Sequence, residues 1–146
     1  MLKISFHQTK GVKNPLSSPK KKYVSWLEKI ITDHKQSVQY INYIFCDDSY
    51  LLEINRQYLN HDEYTDIITF PYHSTDHPIE SDIFISTERV RENAEFFGIS
   101  FHDELLRVMA HGLLHLLGYG DKDNISKEAM IKAEDSSINL FSSDLN

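Results

Sequence analysis

The fold is organised by the stretch His111-Gly-Leu-Leu-His115-Leu-Leu-Gly118-Tyr-Gly-Asp121, near the end of the chain. His111 and His115 are four residues apart, so an α-helix places both imidazoles on one face, one turn apart. Gly118 suits the left-handed conformation that ends a helix and turns the chain. That turn would bring Asp121 back toward the histidines. Two nitrogen donors, one carboxylate and an open fourth position are typical of a catalytic zinc site.

Many histidine pairs at this spacing bind no metal, and an ordinary helix is the alternative interpretation. Here the pair lies in an apolar segment that contains Leu105, Leu106, Val108, Met109, Leu113, Leu114, Leu116 and Leu117. Burying imidazoles in such a segment costs free energy unless their polar atoms are bonded. The sequence therefore predicts one zinc ion bound by His111, His115 and Asp121. Asp123 competes for the third position, whereas His102, more than two turns earlier, does not join the cluster.

The spacing resembles the zinc-protease pattern His-Glu-x-x-His-x-x-Gly-x-x-His. Gly112 stands where that pattern has the glutamate base, and Asp121 stands for its last histidine. Without the base, proteolysis by that mechanism is disfavoured. The form His-Gly-x-Leu-His-Leu-x-Gly-Tyr instead resembles the YbeY family, bacterial metal-dependent endoribonucleases implicated in ribosomal RNA maturation.

Residues 55–71 carry a second resemblance to this family, whose pattern there is Asn-Arg-x-Tyr-Arg-Gly-Lys-Asp-x-Pro-Thr-Asp-Val-Leu-Ser-Phe-Pro. The matching positions are Asn55, Arg56, Tyr58, Asp62, Thr65, Asp66, Phe70 and Pro71. The chain departs at Leu59 for arginine, Asn60 for glycine and His61 for lysine. The resemblance implies that the missing arginine serves catalysis or RNA contact. Arg56 is then the candidate substrate-binding residue, and an ordinary surface position on a helix is its alternative.

Length and composition indicate one domain, residues 1–146, large enough to bury a core without disulfides. A single cysteine fits a reducing compartment. The first ten residues lack the apolar run of a signal peptide, and no stretch could span a membrane. These features predict a cytoplasmic protein.

The formal net charge of −7 bears on the choice of partner. Phosphate contacts require lysine and arginine, so an RNA surface on this chain must be a local basic patch. Activity on RNA should then fall steeply with added salt. The one cluster of basic residues is Lys10, Lys13, Lys20, Lys21 and Lys22, and we favour a solvated helix start for it.

Apolar periodicity predicts the element order β-α-β-α-β-β-α-α-α. The strands are expected at Leu2–Phe6, Val38–Cys46, Ile67–Tyr72 and Asp82–Ser86, the last resembling the family's Gly-Asp-Ile-Val-Ile-Ser. The last helix begins at Asn124 or Ser126 and bears Ile131, Ala133, Ile138 and Leu140 on its apolar face. The predicted class is α+β and zincin-like, with a four-stranded mixed sheet and about five helices around a central, buried, histidine-bearing helix.

The resemblance implies a function as well as a fold. It implies a single-strand-specific, metal-dependent endoribonuclease acting in ribosomal RNA maturation, with RNA or a ribosomal subunit as partner. Zinc-activated water would attack the phosphodiester, and Gly112 would leave room beside the metal. No residue is identified as general acid or base. The alternatives are a zinc hydrolase of a small substrate or peptide, and a non-enzymatic ribosome-associated RNA-binding module with a structural metal.

Overall fold

Two apolar strands form the centre of a four-stranded sheet in the computed structural model, which describes residues 3–143. The strands are β1 (Ile4–Gln8), β2 (Val38–Cys46), β3 (Ile67–Pro71) and β4 (Ile79–Ser86), in the spatial order β1-β2-β4-β3. β1, β2 and β4 run parallel, and β3 is antiparallel to β4. The mixed four-stranded sheet is therefore confirmed. The predicted first residue of β1, Leu2, lies outside the described residues.

Five helices complete the predicted element order. They are α1 (Lys20–Asp33), α2 (Asp48–Leu59), α3 (Thr87–Phe97), α4 (Phe101–Leu116) and α5 (Asn124–Ser142). None of the helices within residues 3–143 is long and apolar enough to cross a membrane.

The histidine-bearing helix α4 is central, as predicted. The Ser100 side chain accepts a hydrogen bond from the Asp103 amide and so caps its first turn. α4 contacts α3 on one side, α5 on another, and strands β3 and β4 beneath it. Its fully buried apolar residues are Leu105, Leu106, Val108, Met109, Ala110, Leu113 and Leu114. Because α4 is fixed on several sides, its histidines occupy set positions relative to the sheet.

Gly112 has a different role from the predicted one. It is buried, and a Cβ atom there would lie 2.7 Å from Ile67 Cδ1 and 3.3 Å from Ile83 Cγ2. The missing side chain therefore lets α4 approach β3 and β4 closely. The prediction that Gly112 leaves room beside the metal is wrong, because the space on that side of the helix is filled by the sheet.

The apolar face predicted for α5 is confirmed at Ala133, Ile138 and Leu140, which pack against the core, and wrong at Ile131. Its buried residues are Met130, Glu134, Ser137 and Phe141, whereas Ile131 is exposed. Met130 and Phe141 belong to the main core, together with α4 and α1. The buried face of α5 is thus wider than predicted, and it includes a carboxylate, Glu134.

Candidate metal centre

The C-terminal part of α4 brings the predicted ligands together. The His111 and His115 rings lie 4.5 Å apart, centroid to centroid. Asp121 Oδ2 lies 3.6 Å from His111 Nε2 and 3.4 Å from His115 Nε2. Among the described residues, this trio is the one group of histidine, cysteine or acidic side chains whose ligand atoms converge within 4.8 Å.

The turn after α4 is what returns Asp121 to the histidines. Gly118 has φ +106°, a left-handed value that disfavours side chains. Its amide donates to the His115 carbonyl at 3.1 Å, and the Tyr119 amide donates to the Leu114 carbonyl at 3.0 Å. These two bonds form a Schellman motif, so the predicted glycine stop is confirmed.

The competing carboxylate, Asp123, and the excluded histidine, His102, are both bonded elsewhere. Asp123 is the N-cap of α5, and its carboxylate accepts from the Ser126 amide at 2.7 Å. His102 Nε2 is hydrogen-bonded to the Tyr23 hydroxyl at 2.8 Å, at the other end of α4. Neither belongs to the cluster, and Asp121 is the carboxylate that faces the Nε2 atoms of both histidines.

Both histidines turn the same nitrogen toward Asp121. His115 Nδ1 donates to the Tyr119 carbonyl at 2.9 Å, and His111 Nδ1 donates to Glu134 Oε2 at 2.6 Å. A carbonyl or a carboxylate can only accept, so each Nδ1 carries the proton. The lone pair of each imidazole is therefore on Nε2, the atom a metal would need.

Glu134 is the functional residue that sequence reasoning missed. It is 6% exposed, and its second oxygen accepts from Arg107 Nη1 at 2.9 Å. The hydrogen bond to Glu134 raises the pKa of His111, against the opposing effect of burial. Its helical spacing could have indicated that Glu134 is buried. Glu134 is four residues after Met130 and seven before Phe141, on the buried face of α5.

A cleft of about 640 Å³ opens in front of the trio. Its walls come from the end of α2, the connection after it, β3 and α4. The lining residues are Asn55, Leu59, His61, Glu63, Thr65, Asp66, Ile67, Ile68, Thr69, Pro71, His73, His111, His115, Leu116 and Asp121. No lysine or arginine lines the described cleft, so the lysine cluster of the N-terminal region contributes nothing to its wall.

Arg56 lies just outside this lining. Its neighbour Asn55 lines the cleft, but the Arg56 side chain is exposed on α2 and hydrogen-bonded to Asp62. A contact with Glu53 adds a second carboxylate. Arg56 would have to exchange these partners to contact a phosphate.

A smaller chamber of about 200 Å³ lies behind His111 and holds several ionisable groups. Its lining residues are Asp66, Ile67, Glu104, Arg107, Val108, His111 and Glu134. Glu104 is 4% exposed, and its Oε1 atom is buried without a hydrogen-bond partner. Burial, followed by the charge of Asp66, raises the pKa of Glu104 to about 7. Burial likewise raises the pKa of Asp66.

The donor set fits a zinc ion. In a tetrahedral site with bonds of about 2.0–2.1 Å, neighbouring ligand atoms lie about 3.3–3.4 Å apart. The two nitrogen–oxygen separations of 3.4 and 3.6 Å are close to that value. The second nitrogen of each imidazole is hydrogen-bonded, as is usual around metal-binding histidines.

Comparisons with known proteins agree with this geometry. The model of the family described as endoribonuclease YbeY matches residues 4–142. The chain belongs to the endoribonuclease YbeY family. An endoribonuclease YbeY of Flavobacterium psychrophilum is 52% identical over 119 residues, which cover 82% of this chain and 84% of the relative. That of Bacteroides thetaiotaomicron is 45% identical over 132 residues, covering 90% and 95%.

A solved structure supports the fold of this YbeY-family chain. The solution structure of TM1509 from Thermotoga maritima matches with a TM-score of 0.69 at 27% identity, over 94% of this chain and 88% of that one. Family membership and the α+β architecture inferred from the sequence are therefore confirmed. Leu59, which stands where the family pattern has an arginine, lines the cleft.

Proposed function

We propose that this chain is a metal-dependent endoribonuclease that cleaves single-stranded RNA in the maturation of ribosomal RNA. His111, His115 and Asp121 bind one zinc ion. The observation that carries the proposal is the convergence of two Nε2 atoms and one carboxylate oxygen at the cleft. Membership of the endoribonuclease YbeY family supplies the substrate class. The relatives are named endoribonucleases, which favours this activity over the peptide and non-enzymatic alternatives.

The chain's own residues prepare the site for hydrolysis. Glu134 and the Tyr119 carbonyl hold the two imidazoles in one tautomer and orientation, which lowers the reorganisation needed when a ligand arrives. When bound, a zinc ion supplies a Lewis acid that lowers the pKa of water and offsets negative charge on a phosphate. The cleft in front of it holds the substrate strand.

Gly112 argues against a peptidase that uses the glutamate base of the resembled zinc-protease pattern. A zinc protease of the resembled type needs a glutamate at that position as its base. This chain has no carboxylate at position 112, and a Cβ atom there would lie 2.7 Å from Ile67 Cδ1.

The test is RNA cleavage by the zinc-loaded chain against the variant His111→Ala/His115→Ala. We expect the wild type to cleave single-stranded RNA and to leave a duplex of the same sequence intact. The double variant should lose at least about 100-fold in rate, because both nitrogen ligands are gone. A His102→Ala variant, which removes a histidine of the same helix outside the cluster, should retain activity. Equal cleavage by wild type and double variant would refute the proposal, as would cleavage of peptides in place of RNA.

A further inference from the structure

A second concave surface, which we call the aromatic groove, lies beside the cleft. It has a volume of about 490 Å³ and is lined by Tyr50, Glu53, Ile54, Gln57, Tyr58, Phe70, Tyr72 and Phe84. Two of its tyrosines are largely in solvent, with Tyr58 69% and Tyr72 53% exposed. Most of its lining side chains are therefore aromatic, and part of this ring surface is open to a ligand.

The rings of the aromatic groove are ordered against one another. Phe70 packs edge-on against Phe84, with centroids 5.9 Å apart, and Tyr58 packs edge-on against Phe70 at 6.0 Å. Tyr50 stacks over Phe84 at 6.3 Å. Phe70 and Phe84 rest on a small buried cluster that contains Leu51, Ile54 and Ile68. The floor is thus fixed by packing, and the exposed tyrosines stand at its rim.

The aromatic groove and the cleft share two walls. On α2, Leu59 lines the cleft and the preceding Tyr58 lines the groove. On β3, Pro71 lines the cleft and the preceding Phe70 lines the groove, because successive strand residues face opposite sides. A polymer that leaves the cleft past this edge strand therefore meets the groove next.

The protein side chains that line the cleft offer no lysine or arginine to the phosphates of a strand, so contacts outside the metal site must come from elsewhere. Aromatic side chains bind single strands through base stacking, which needs no added positive charge. We propose that the aromatic groove is a base-stacking subsite for single-stranded RNA, adjoining the phosphodiester held in the cleft. This inference rests on the proposed function for the identity of the polymer.

The charges around the aromatic groove favour one orientation of the strand. Glu53 lies in its lining, and Asp82 accepts a hydrogen bond from the Tyr72 hydroxyl at 3.0 Å. Both carboxylates repel phosphates, so bases enter the groove while the backbone stays outside it. Arg56 is between Asn55 of the cleft and Gln57 of the groove in sequence, but its side chain lines neither surface and is paired with Asp62 and Glu53.

The experiment measures binding of 2′-O-methyl oligouridines to the zinc-loaded chain by fluorescence anisotropy. We expect a trinucleotide to occupy the cleft only and a dodecamer to reach the aromatic groove as well. The variants are Tyr58→Ala, its conservative partner Tyr58→Phe, and Tyr72→Ala. Phe96→Ala serves as a matched control, because Phe96 is an 84% exposed aromatic residue on α3 outside both surfaces.

We expect Tyr58→Ala to weaken dodecamer binding about 5- to 100-fold and trinucleotide binding less than twofold. Tyr58→Phe should bind like the wild type, because the ring is retained. Phe96→Ala should do the same. The loss in Tyr58→Ala should persist at high salt, since stacking releases few counterions.

Dodecamer binding that is unchanged in both Tyr58→Ala and Tyr72→Ala would overturn the inference. If these variants bind RNA normally but lose association with a ribosomal subunit, the aromatic groove is a protein surface and the inference also fails. The proposed function is judged separately by cleavage. A chain that binds the dodecamer through Tyr58 yet leaves RNA intact refutes the nuclease and retains the subsite.

Discussion

The two histidines of the metal centre are held in different ways. His115 is fixed from within its own turn, by the carbonyl of Tyr119 four residues later. His111 is fixed by a buried side chain of another helix, Glu134, which is in turn paired with Arg107. One support is a local backbone atom that every residue possesses. The other is a specific carboxylate that reaches its position only when α5 packs against α4.

Because of this difference, a single mutation can remove the support of His111 more easily than that of His115. A backbone carbonyl survives almost any substitution of its own side chain, whereas the Glu134 carboxylate is removed by one mutation. The His111 side also adjoins the chamber with Glu104 and Asp66, while His115 does not line it. Ionisable groups are therefore concentrated behind His111. We expect mutations and pH changes there to alter both the free energy of unfolding and the metal affinity.

The largest effect is expected for Glu134→Ala. The change leaves His111 Nδ1 without its buried acceptor, while Arg107 keeps Asp135. The cost should therefore be near the lower end for breaking a buried pair, about 3 kcal/mol. Loss of the carboxylate that orients a histidine lowers metal affinity by roughly 10- to 100-fold. Urea denaturation of the metal-free chain and zinc competition with a chromogenic chelator measure the two effects separately.

Glu134→Gln is the matched variant, because its amide oxygen can still accept from His111 Nδ1. It should recover part of the lost zinc affinity. If Glu134→Ala binds zinc as tightly as the wild type, the orienting role of this residue is refuted, whatever happens to stability.

A pH-dependent effect of intermediate size is expected for Glu104→Gln. The pKa of Glu104 is raised to about 7 from 4.5 by burial and then by Asp66, so the folded state favours the protonated form. Its contribution to stability is complete below about pH 4.5 and is lost as pH rises through 7. Glutamine does not titrate, so the variant should gain about 3 kcal/mol relative to the wild type between pH 4.5 and 8.

The measurement is the free energy of unfolding of both proteins, from denaturant titrations at pH steps across that range. Glu95→Gln, an exposed position on α3, controls for the simple loss of one negative charge. A constant difference between Glu104→Gln and wild type at every pH would contradict the prediction.

The smallest effect tests the His115 side. Gly118→Ala places a side chain at φ +106°, which should lower the free energy of unfolding by about 1–2 kcal/mol. Because the same turn carries the Tyr119 carbonyl and Asp121, zinc affinity should fall several-fold. Tyr119→Phe removes the hydroxyl contact to His34 but keeps the carbonyl, so its zinc affinity should stay within twofold. A larger loss in Tyr119→Phe than in Gly118→Ala would reverse this assignment.

The His115 side of the metal centre could be predicted from the sequence better than the support of His111. The ligand spacing, the glycine turn and Asp121 lie within residues 111–121, where helix geometry alone relates them. Periodicity also indicated the element order and the buried α4. Glu134 was missed because the face of α5 was assigned to Ile131, Ala133, Ile138 and Leu140. Ala133, Ile138 and Leu140 do pack against the core, but the most buried part of the face, with Met130 and Phe141, is set by packing against α1 and α4, which a local pattern does not contain.

Gly112 is a second position at which the local sequence did not reveal the tertiary contact. Its position next to a ligand suggested a role at the metal, because the sequence places it there. Helix geometry turns neighbouring residues about 100° apart, so Gly112 faces β3 and β4 while His111 faces α5. The sequence could not show how closely the sheet lies to the helix, since that distance depends on side chains from Ile67 and Ile83.

This close contact fixes one wall of the cleft, whereas another wall has no regular secondary structure. α4 and β3 pack closely at Gly112, so the metal ligands on α4 and the strand β3 keep a constant separation. The facing wall includes residues 60–66, which join α2 to β3 without helix or strand structure and are mostly exposed. We therefore expect any closure around bound RNA to come from this connection.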